Sequence, residues 1–264
     1  MNAAAPRPLD VRLMNMTLVV LLLTFAALGA LAGVRWLARL SAFDIQGITV
    51  VGDTRHSNSI TLRANVAPRI AGTFFSVDLS RVRAAFEAVP WVRHAVVQRE
   101  FPNRLKVTLQ EHQPVGLWGS DGDLRLINNF GEVFEANVGE VDQDNLPTLN
   151  GPDGRGAEVL GMFHALQPSF AAADLPIAQL ELSGRGSWSV KLETGASIEL
   201  GRGTVEEVQV RTNRLLKTMT QVVSRYGRQA SAIESVDLRH ENGYAIRLRG
   251  ISTVLTSTPA KLWN

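Results

Sequence analysis

Five histidines, His56, His94, His112, His164 and His240, are the side chains here best suited to proton transfer or metal binding. None belongs to an H-E-x-x-H pair, the spacing that puts two imidazoles on one helical face around zinc. Asp121/Asp123 and Asp142/Asp144 have the first spacing of a calcium loop without its remaining ligands, so they read as solvated loop residues. Gly201-Arg202-Gly203 lacks the third glycine of a dinucleotide fingerprint, and no second strand–helix–strand unit follows it. There is no G-x-S-x-G elbow, no Walker A loop and no cysteine, which excludes disulfides, thiolate metal sites and a cysteine nucleophile. The expectation is a protein that is not an enzyme and needs no metal or cofactor. An active site assembled from scattered residues is the alternative such a search leaves open.

The bulk charge gives no argument for nucleic acid. Lys and Arg number 27 against 25 Asp and Glu, a net +2, with no cluster of the kind a phosphate backbone requires.

The elements that must position any site begin with Leu13–Val34, an uncharged run of 22 residues between Arg12 and Arg35. As a helix it would be about 33 Å long, enough for a hydrocarbon core of roughly 30 Å. Trp36 and Arg39 suit the headgroup level. A permanent anchor over 13–37 is the main reading. A cleaved signal peptide competes, since Ala30-Leu31-Ala32 fits the small-residue cleavage pattern, but the apolar run is longer than usual for one. Arg7 and Arg12 on one side match Arg35 and Arg39 on the other, so the positive-inside rule leaves orientation open.

Residues 43–111 read as β-α-α-β-β. Phe43–Val51 is a β-rich run ending at Gly52-Asp53. Asn58 or Ser59 caps a helix that Pro68 limits, and Asp78 caps a second with Leu79, Val82, Phe86 and Val89 on one stripe. Val92–Glu100 and Arg104–Glu111 flank the turn Phe101-Pro102-Asn103, and Leu105, Val107 and Leu109 alternate cleanly with polar residues. Trp91 is read as a core contact; Arg99 and Glu111 are read as solvated or paired across strands.

Residues 112–250 read as a second, mainly antiparallel β domain with helices packed on the sheet. Strands are expected from Pro114, around Gly131, and at Ile177–Ser183, Trp188–Glu193 and Ser197–Leu200, with a helix over 156–172. A long helix over Thr204–Tyr226 carries Val208, Thr212, Leu215, Met219, Val222 and Tyr226. That stripe fits a helix lying on a sheet better than a coiled-coil seam. Ser235–Arg239 and Tyr244–Leu248 flank Glu241-Asn242-Gly243, a hairpin signal. Being last, the final strand is a candidate sheet edge, and an exposed edge can accept a partner's strand. Residues 251–264 give no clear element and read as a tail open to disorder.

A β-α-α-β-β unit just outside an anchor is similar to a POTRA (polypeptide-transport-associated) domain. Val89-Pro90-Trp91-Val92, Ala95, Val97, Arg99, Phe101-Pro102, Leu105, Val107 and Glu111-His112-Gln113-Pro114 resemble the FtsQ/DivIB family of bacterial cell-division proteins in type and spacing. So do Val133-Phe134, the Leu146–Pro152 element, Gly201-Arg202-Gly203 and Val236-Asp237-Leu238-Arg239. The resemblance implies an α+β fold: a short cytoplasmic tail (1–12), one transmembrane helix (13–37), a POTRA domain (43–111), a partner-binding β domain (112–250) and the tail. It implies a single-pass inner-membrane protein with a periplasmic C-terminal domain, located at the division septum. Its role would be that of an essential, non-enzymatic scaffold joining mostly cytoplasmic division proteins to periplasmic ones. The implied partners are FtsB and FtsL, with other division proteins reached through the POTRA domain; no nucleic acid or small-molecule substrate is implied. Carried over by position, the partner surface falls on Arg202, His240, Asn242, Gly243, Tyr244, Arg247 and Leu248. Enterobacterial members tend to carry an aromatic where His240 stands and another near Leu248, so this chain departs from them there. The alternative is a POTRA-bearing component of a protein-export or outer-membrane assembly system, against which stands the absence of a barrel-sized remainder.

Overall fold

The computed structural model describes residues 9–37, 43–120, 122–225, 227–240 and 243–250. Residues 1–8, Asp121, Tyr226, Asn242 and the tail at 251–264, all named in the expectations above, lie outside them. Helix α1 (Leu9–Leu37) is continuous. Its apolar span Leu13–Leu37 is 25 residues long and has none of its surface buried against the rest of the chain. At 1.5 Å per residue it rises about 38 Å, more than a hydrocarbon core needs. Its two threonines satisfy their own hydroxyls. Thr17 donates to the carbonyls of Leu13 and Met14 (3.1 and 2.8 Å), and Thr24 to those of Val20 and Leu21 (2.8 and 2.9 Å). Neither threonine hydroxyl therefore needs a partner from outside the helix, which suits a lipid surrounding.

The chain divides into two compact units, with the boundary between Glu111 and His112. In the first, β1 (Gly47–Gly52), α2 (Ser59–Val66), α3 (Leu79–Glu87), β2 (Val92–Glu100) and β3 (Arg104–Glu111) follow in that order. The sheet order is β1-β3-β2, with β1 parallel and β2 antiparallel to β3. Both helices start where a side chain replaces the missing helical acceptor. Asn58 accepts from the Thr61 N–H at 2.8 Å, and Asp78 from the Ser80 N–H at 2.9 Å. Leu105, Val107 and Leu109 fill the sheet's inner face against Leu62, Val82 and Phe86. Trp91 is buried and stacks on the His56 ring at 3.9 Å.

Three local expectations change. The first strand starts at Gly47 rather than Phe43, because Phe43 and Asp44 pair instead with Phe74 and Thr73 in the α2–α3 connection. Arg99 is neither free nor paired across the sheet: its guanidinium donates to the carbonyls of Phe74 (2.7 Å) and Val77 (2.9 Å). Glu111 is only 3% exposed. Its carboxylate accepts from the main-chain N–H of Ser57 (2.7 Å) and of His56 (3.0 Å), and lies 3.4 Å from the His56 imidazole. The last residue of β3 thus pins the loop that leads into α2.

The second unit is a single nine-stranded sheet, β12-β11-β10-β9-β8-β7-β4-β5-β6. The strands are β4 (Pro114–Trp118), β5 (Arg125–Asn128), β6 (Val133–Phe134), β7 (Thr148–Asn150), β8 (Ile177–Leu182), β9 (Trp188–Leu192), β10 (Ser197–Gly201), β11 (Ile233–Asp237) and β12 (Ala245–Leu248). Three of its pairings are parallel (β4–β7, β7–β8, β10–β11) and the rest antiparallel. Helices α4 (Gly156–Ala172) and α5 (Val205–Ser224) contribute Val159, Leu166, Phe170, Val208, Leu215 and Met219 to one core with Leu149, Leu180, Val190, Ile198 and Val236. The residues alternating with these on the central strands, such as Gln179, Glu181, Lys191 and Glu199, are partly or fully exposed, as one uncovered face of an antiparallel region should be. Gly131 brings the β5–β6 turn onto the start of α4, where a Cβ would come within 2.3 Å of the Ala157 Cα. The buried face of α5 ends on Val223 rather than Val222. Successive steps of 4, 3, 4 and 4 keep a straight 3.6-residue period against the sheet, where a coiled coil would hold 3.5.

Two stability predictions follow from buried polar atoms. Burial raises the Glu111 pKa. The Ser57 hydroxyl (close by but out of hydrogen-bonding geometry), the His56 and Ser57 N–H groups and the His56 side chain lower it, and they prevail. A carboxyl depressed on folding stabilises above its ordinary range and loses that contribution as pH falls through its folded value. Glu111→Gln is therefore expected to loosen the α2 amides at pH 7 by about 1–3 kcal/mol in hydrogen exchange. The gap to wild type should shrink below about pH 4.5, and a gap that stays constant with pH would exclude the charge as its source. Thr212 is fully buried in α5, and its hydroxyl has no partner among the described residues. Thr212→Val should raise stability by about 1 kcal/mol in urea denaturation, the usual cost of such a group.

Candidate functional site

The two edge strands of the large sheet are the two-residue β6 and, at the other end, β12. It pairs with β11 through Asp237↔Ala245, Val236↔Ile246 and Ser235↔Arg247, and among the described residues no strand lies beyond it. The direction of its main-chain groups can be read from its neighbours. Leu238 donates its N–H to the Glu199 carbonyl of β10, so the alternating Ser235 and Asp237 turn theirs toward β12. Arg249 donates to the Ala232 carbonyl, which fixes the same parity from the other side. Ala245 and Arg247 therefore complete the ladder, and the N–H and C=O groups of Ile246 and Leu248 point outward along the edge.

Side chains on β12 split the opposite way. Ile246 and Tyr244 are half-buried against the core, and Leu248 is buried in it. The Tyr244 hydroxyl meets the Thr218 hydroxyl of α5 at 2.7 Å. Ala245, Arg247 and Arg249 face the solvent. Arg247 lies 3.3 Å from Glu234, and Arg249 donates to the Thr194 carbonyl in the β9–β10 turn at 2.9 Å. Leu248 is an expected partner contact by its position in the resemblance. Its side chain is committed to the core, so only its main chain is offered at the edge.

Arg202 follows the last residue of β10 and is exposed, without an ion pair among the described residues. It sits in the turn that feeds α5, not in a phosphate loop. Gly203 has φ +139°, and a Cβ there would meet the Glu207 carboxylate. Thr204 and Glu207 close a reciprocal capping box, with the Thr204 N–H 3.0 Å from Glu207 Oε2. Because Glu199 is in register with Asp237, the ends of β10 and β11 lie side by side. Arg202 thus shares an end of the sheet with Arg239, the exposed His240, and Gly243 and Tyr244, which lead into β12. Asn242 lies outside the described residues. Asp237 and Arg239 form a bidentate pair there, with the Arg239 Nη2 2.6 Å and Nε 2.9 Å from the carboxylate oxygens. That pair was missed in the sequence, although i and i+2 share one face of a strand. The Thr218–Tyr244 contact, by contrast, had no local signal.

His94 and His112 serve as packing and hydrogen-bonding groups. His94 Nδ1 lies 3.0 Å from the Glu87 carboxylate, and His112 stacks on Phe134 at 4.1 Å while meeting the buried Asn128 amide at 2.8 Å. Asn128 also accepts from the Phe130 and Glu132 N–H groups, so it organises the β5–β6 turn. Among the described residues, no three His, Asp or Glu side chains gather as a metal would require. The arrangement at β12 offers main-chain hydrogen bonding along an edge flanked by arginines.

Comparison with known proteins matches both units. Residues 43–112 match the POTRA domain, FtsQ-type, and residues 116–239 match the C-terminal domain of cell division protein FtsQ/DivIB. The chain is 41% identical over 257 residues to cell division protein FtsQ of Thiomonas arsenitoxydans, covering 95% of this chain and 93% of that one. It is 41% identical over 243 residues to the protein of the same name from Burkholderia pseudomallei, covering 92% and 94%. The corresponding Bordetella pertussis protein is 34% identical over 256 residues, covering 90% and 92%.

The ion pair at the site's corner gives a titration that can be checked. The Arg239 side chain, helped by the Arg239 N–H and the nearby positive charge, holds the Asp237 carboxyl down to about 2 against its partial burial. Its contribution is complete above the ordinary carboxylate range and fades as pH falls toward about 2. Carbon-detected NMR should find that midpoint in the wild-type chain. In Arg239→Met it should return toward about 4; a wild-type midpoint already near that value would mean the pair does not hold in solution.

Proposed function

The chain belongs to the FtsQ/DivIB family of bacterial cell-division proteins, and from that premise we propose that it is a non-enzymatic scaffold of the division machinery that docks an FtsB-like partner, with FtsL, along β12. The observation that carries this reading is the outward row of N–H and C=O groups at Ile246 and Leu248. A partner strand laid against them would gain main-chain hydrogen bonds, while flanking side chains select it. Arg202, exposed and unpaired among the described residues, suits a partner carboxylate through a bidentate guanidinium contact. His240, Gly243 and Tyr244 would frame the start of the added strand and Arg247 its outer face, and Asn242 belongs to the same partner surface by position in the family. The names of the relatives favour this division role over one in protein export or outer-membrane assembly.

In the same reading, residues 1–12 form a short cytoplasmic tail and 13–37 a single-pass inner-membrane anchor. The POTRA domain (43–111) and the partner-binding domain (112–250) lie in the periplasm, and the protein gathers at the division septum. The POTRA domain would meet further division proteins.

The test is binding of the full-length chain in nanodiscs to a peptide from the periplasmic part of an FtsB-like protein. Ile246→Pro removes one outward N–H without touching the ladder to β11, and Tyr244→Glu puts a charge where the half-buried ring meets Thr218 and supports the edge. Both should weaken binding at least tenfold, about 1.4 kcal/mol or more, with circular dichroism unchanged. Wild-type affinity retained by a folded Ile246→Pro chain would remove strand addition as the mechanism.

A further inference from the structure

Four phenylalanines meet at one end of the POTRA domain. Phe43 stands at the chain's entry, Phe74 and Phe75 in the α2–α3 connection, and Phe101 in the β2–β3 turn. Their rings form a continuous cluster: Phe43–Phe75 at 5.0 Å, Phe74–Phe75 at 5.2 Å and Phe74–Phe101 at 6.5 Å between centroids. A core would bury such a cluster, yet Phe101 is 82% exposed and Phe75 51%. The loops that present them are held firmly. The Phe74 N–H donates to the Phe43 carbonyl at 2.8 Å, Gln46 to the Asn103 carbonyl at 3.0 Å, and Arg99 clamps the carbonyls of Phe74 and Val77.

The register of the sheet says which end this is. Gly47 pairs with Arg104, so the start of β1 lies beside the β2–β3 turn, and Gly52 pairs with Leu109 at the opposite end. The chain arrives from α1 at the aromatic end and leaves for the second unit at the Glu111 end. Only six residue steps separate Leu37, the last residue of the apolar span, from Phe43. At about 3.6 Å per step, Phe43 lies within roughly 22 Å of the end of that span. This is the range in which a protein surface meets headgroups, and exposed aromatic rings are the side chains that partition there.

We propose that the Phe75–Phe101 tip of the POTRA domain inserts into the headgroup region of the bilayer that holds α1, seating the domain on the membrane. The inference rests on the reading of 13–37 as a membrane span. Both signs of charge surround the tip, with Arg99 and Arg104 against Asp44 and Glu100. The rings rather than a net charge therefore carry the contact, and zwitterionic lipid receives it as well as anionic lipid.

The absence of cysteine makes a direct test available. Single variants Phe75→Cys, Phe101→Cys, Leu22→Cys and Ile60→Cys of the full chain each take one nitroxide label. Each is reconstituted into nanodiscs of phosphatidylcholine alone or with phosphatidylglycerol. Power saturation then compares collisions with oxygen, which concentrates in lipid, and with a nickel chelate, which stays in water. Ile60 is 78% exposed in the first turn of α2, near the opposite end of the domain, and serves as the aqueous reference. The expected result is lipid character at 22, a several-fold higher oxygen-to-nickel ratio at 75 and 101 than at 60, and water at 60, in both lipid mixtures. Lipid at 22 with 75 and 101 as aqueous as 60 would overturn the seating while leaving the span intact. Water at 22 would remove the span reading and the proposal with it. Lipid character at 60 as well would mean unspecific adhesion, and low collision with both reagents at 101 would mean a protein contact; either result overturns the proposal.

Discussion

Every main-chain N–H and C=O removed from water must find a partner, and the organisation of this protein follows how each segment meets that demand. In α1 the helix meets it internally, and Thr17 and Thr24 return even their hydroxyls to the same backbone. In the two globular units the sheet ladders meet it, with Asn58, Asp78, Thr204 and Asn128 closing the helix starts and a turn that ladders cannot reach. At β12 the demand is met from one side only. The outward groups there are left to water or to another chain, and the function proposed for the protein is the consequence of that remainder.

Holding such an edge in shape requires anchoring from within. The inward side chains of β12 bind it to the core, and Tyr244 ties it to α5 through Thr218. The edge is thus a firm template, so a partner strand would not have to order it on binding. The capping box that starts α5 and the Asp237–Arg239 pair stiffen the corner where Arg202 and His240 stand. The same pattern recurs in the POTRA domain, where Glu111 and Arg99 spend their charges on main-chain groups of loops.

Much of this could be read from spacing. The uncharged run at 13–34, the alternation of Leu105, Val107 and Leu109, the caps at Asn58 and Asp78 and the stripe on α5 each depend on contacts a few residues apart, so their patterns are visible in a one-dimensional string. The β-α-α-β-β order and the motifs shared with a family followed from the same kind of reading. Errors were local where a tertiary partner competed. Phe43 and Asp44 pair with the α2–α3 connection instead of opening the first strand, and Val223 takes the place of Val222 on the buried face of α5.

Other features had no trace in local pattern. That β11 inserts parallel to β10, pairing Ser197 with Ser235 far along the chain, and that Ile246 and Leu248 are the residues with outward main-chain groups depend on the register between strands. The burial of Glu111 against Ser57, the meeting of Thr218 with Tyr244 and the gathering of four phenylalanines at one end of a small sheet are likewise products of folding. Local spacing decides which elements form because their stabilising contacts lie within a turn or a strand. Which surfaces remain open is decided by long-range packing, since an edge or an exposed ring exists only relative to everything that failed to cover it.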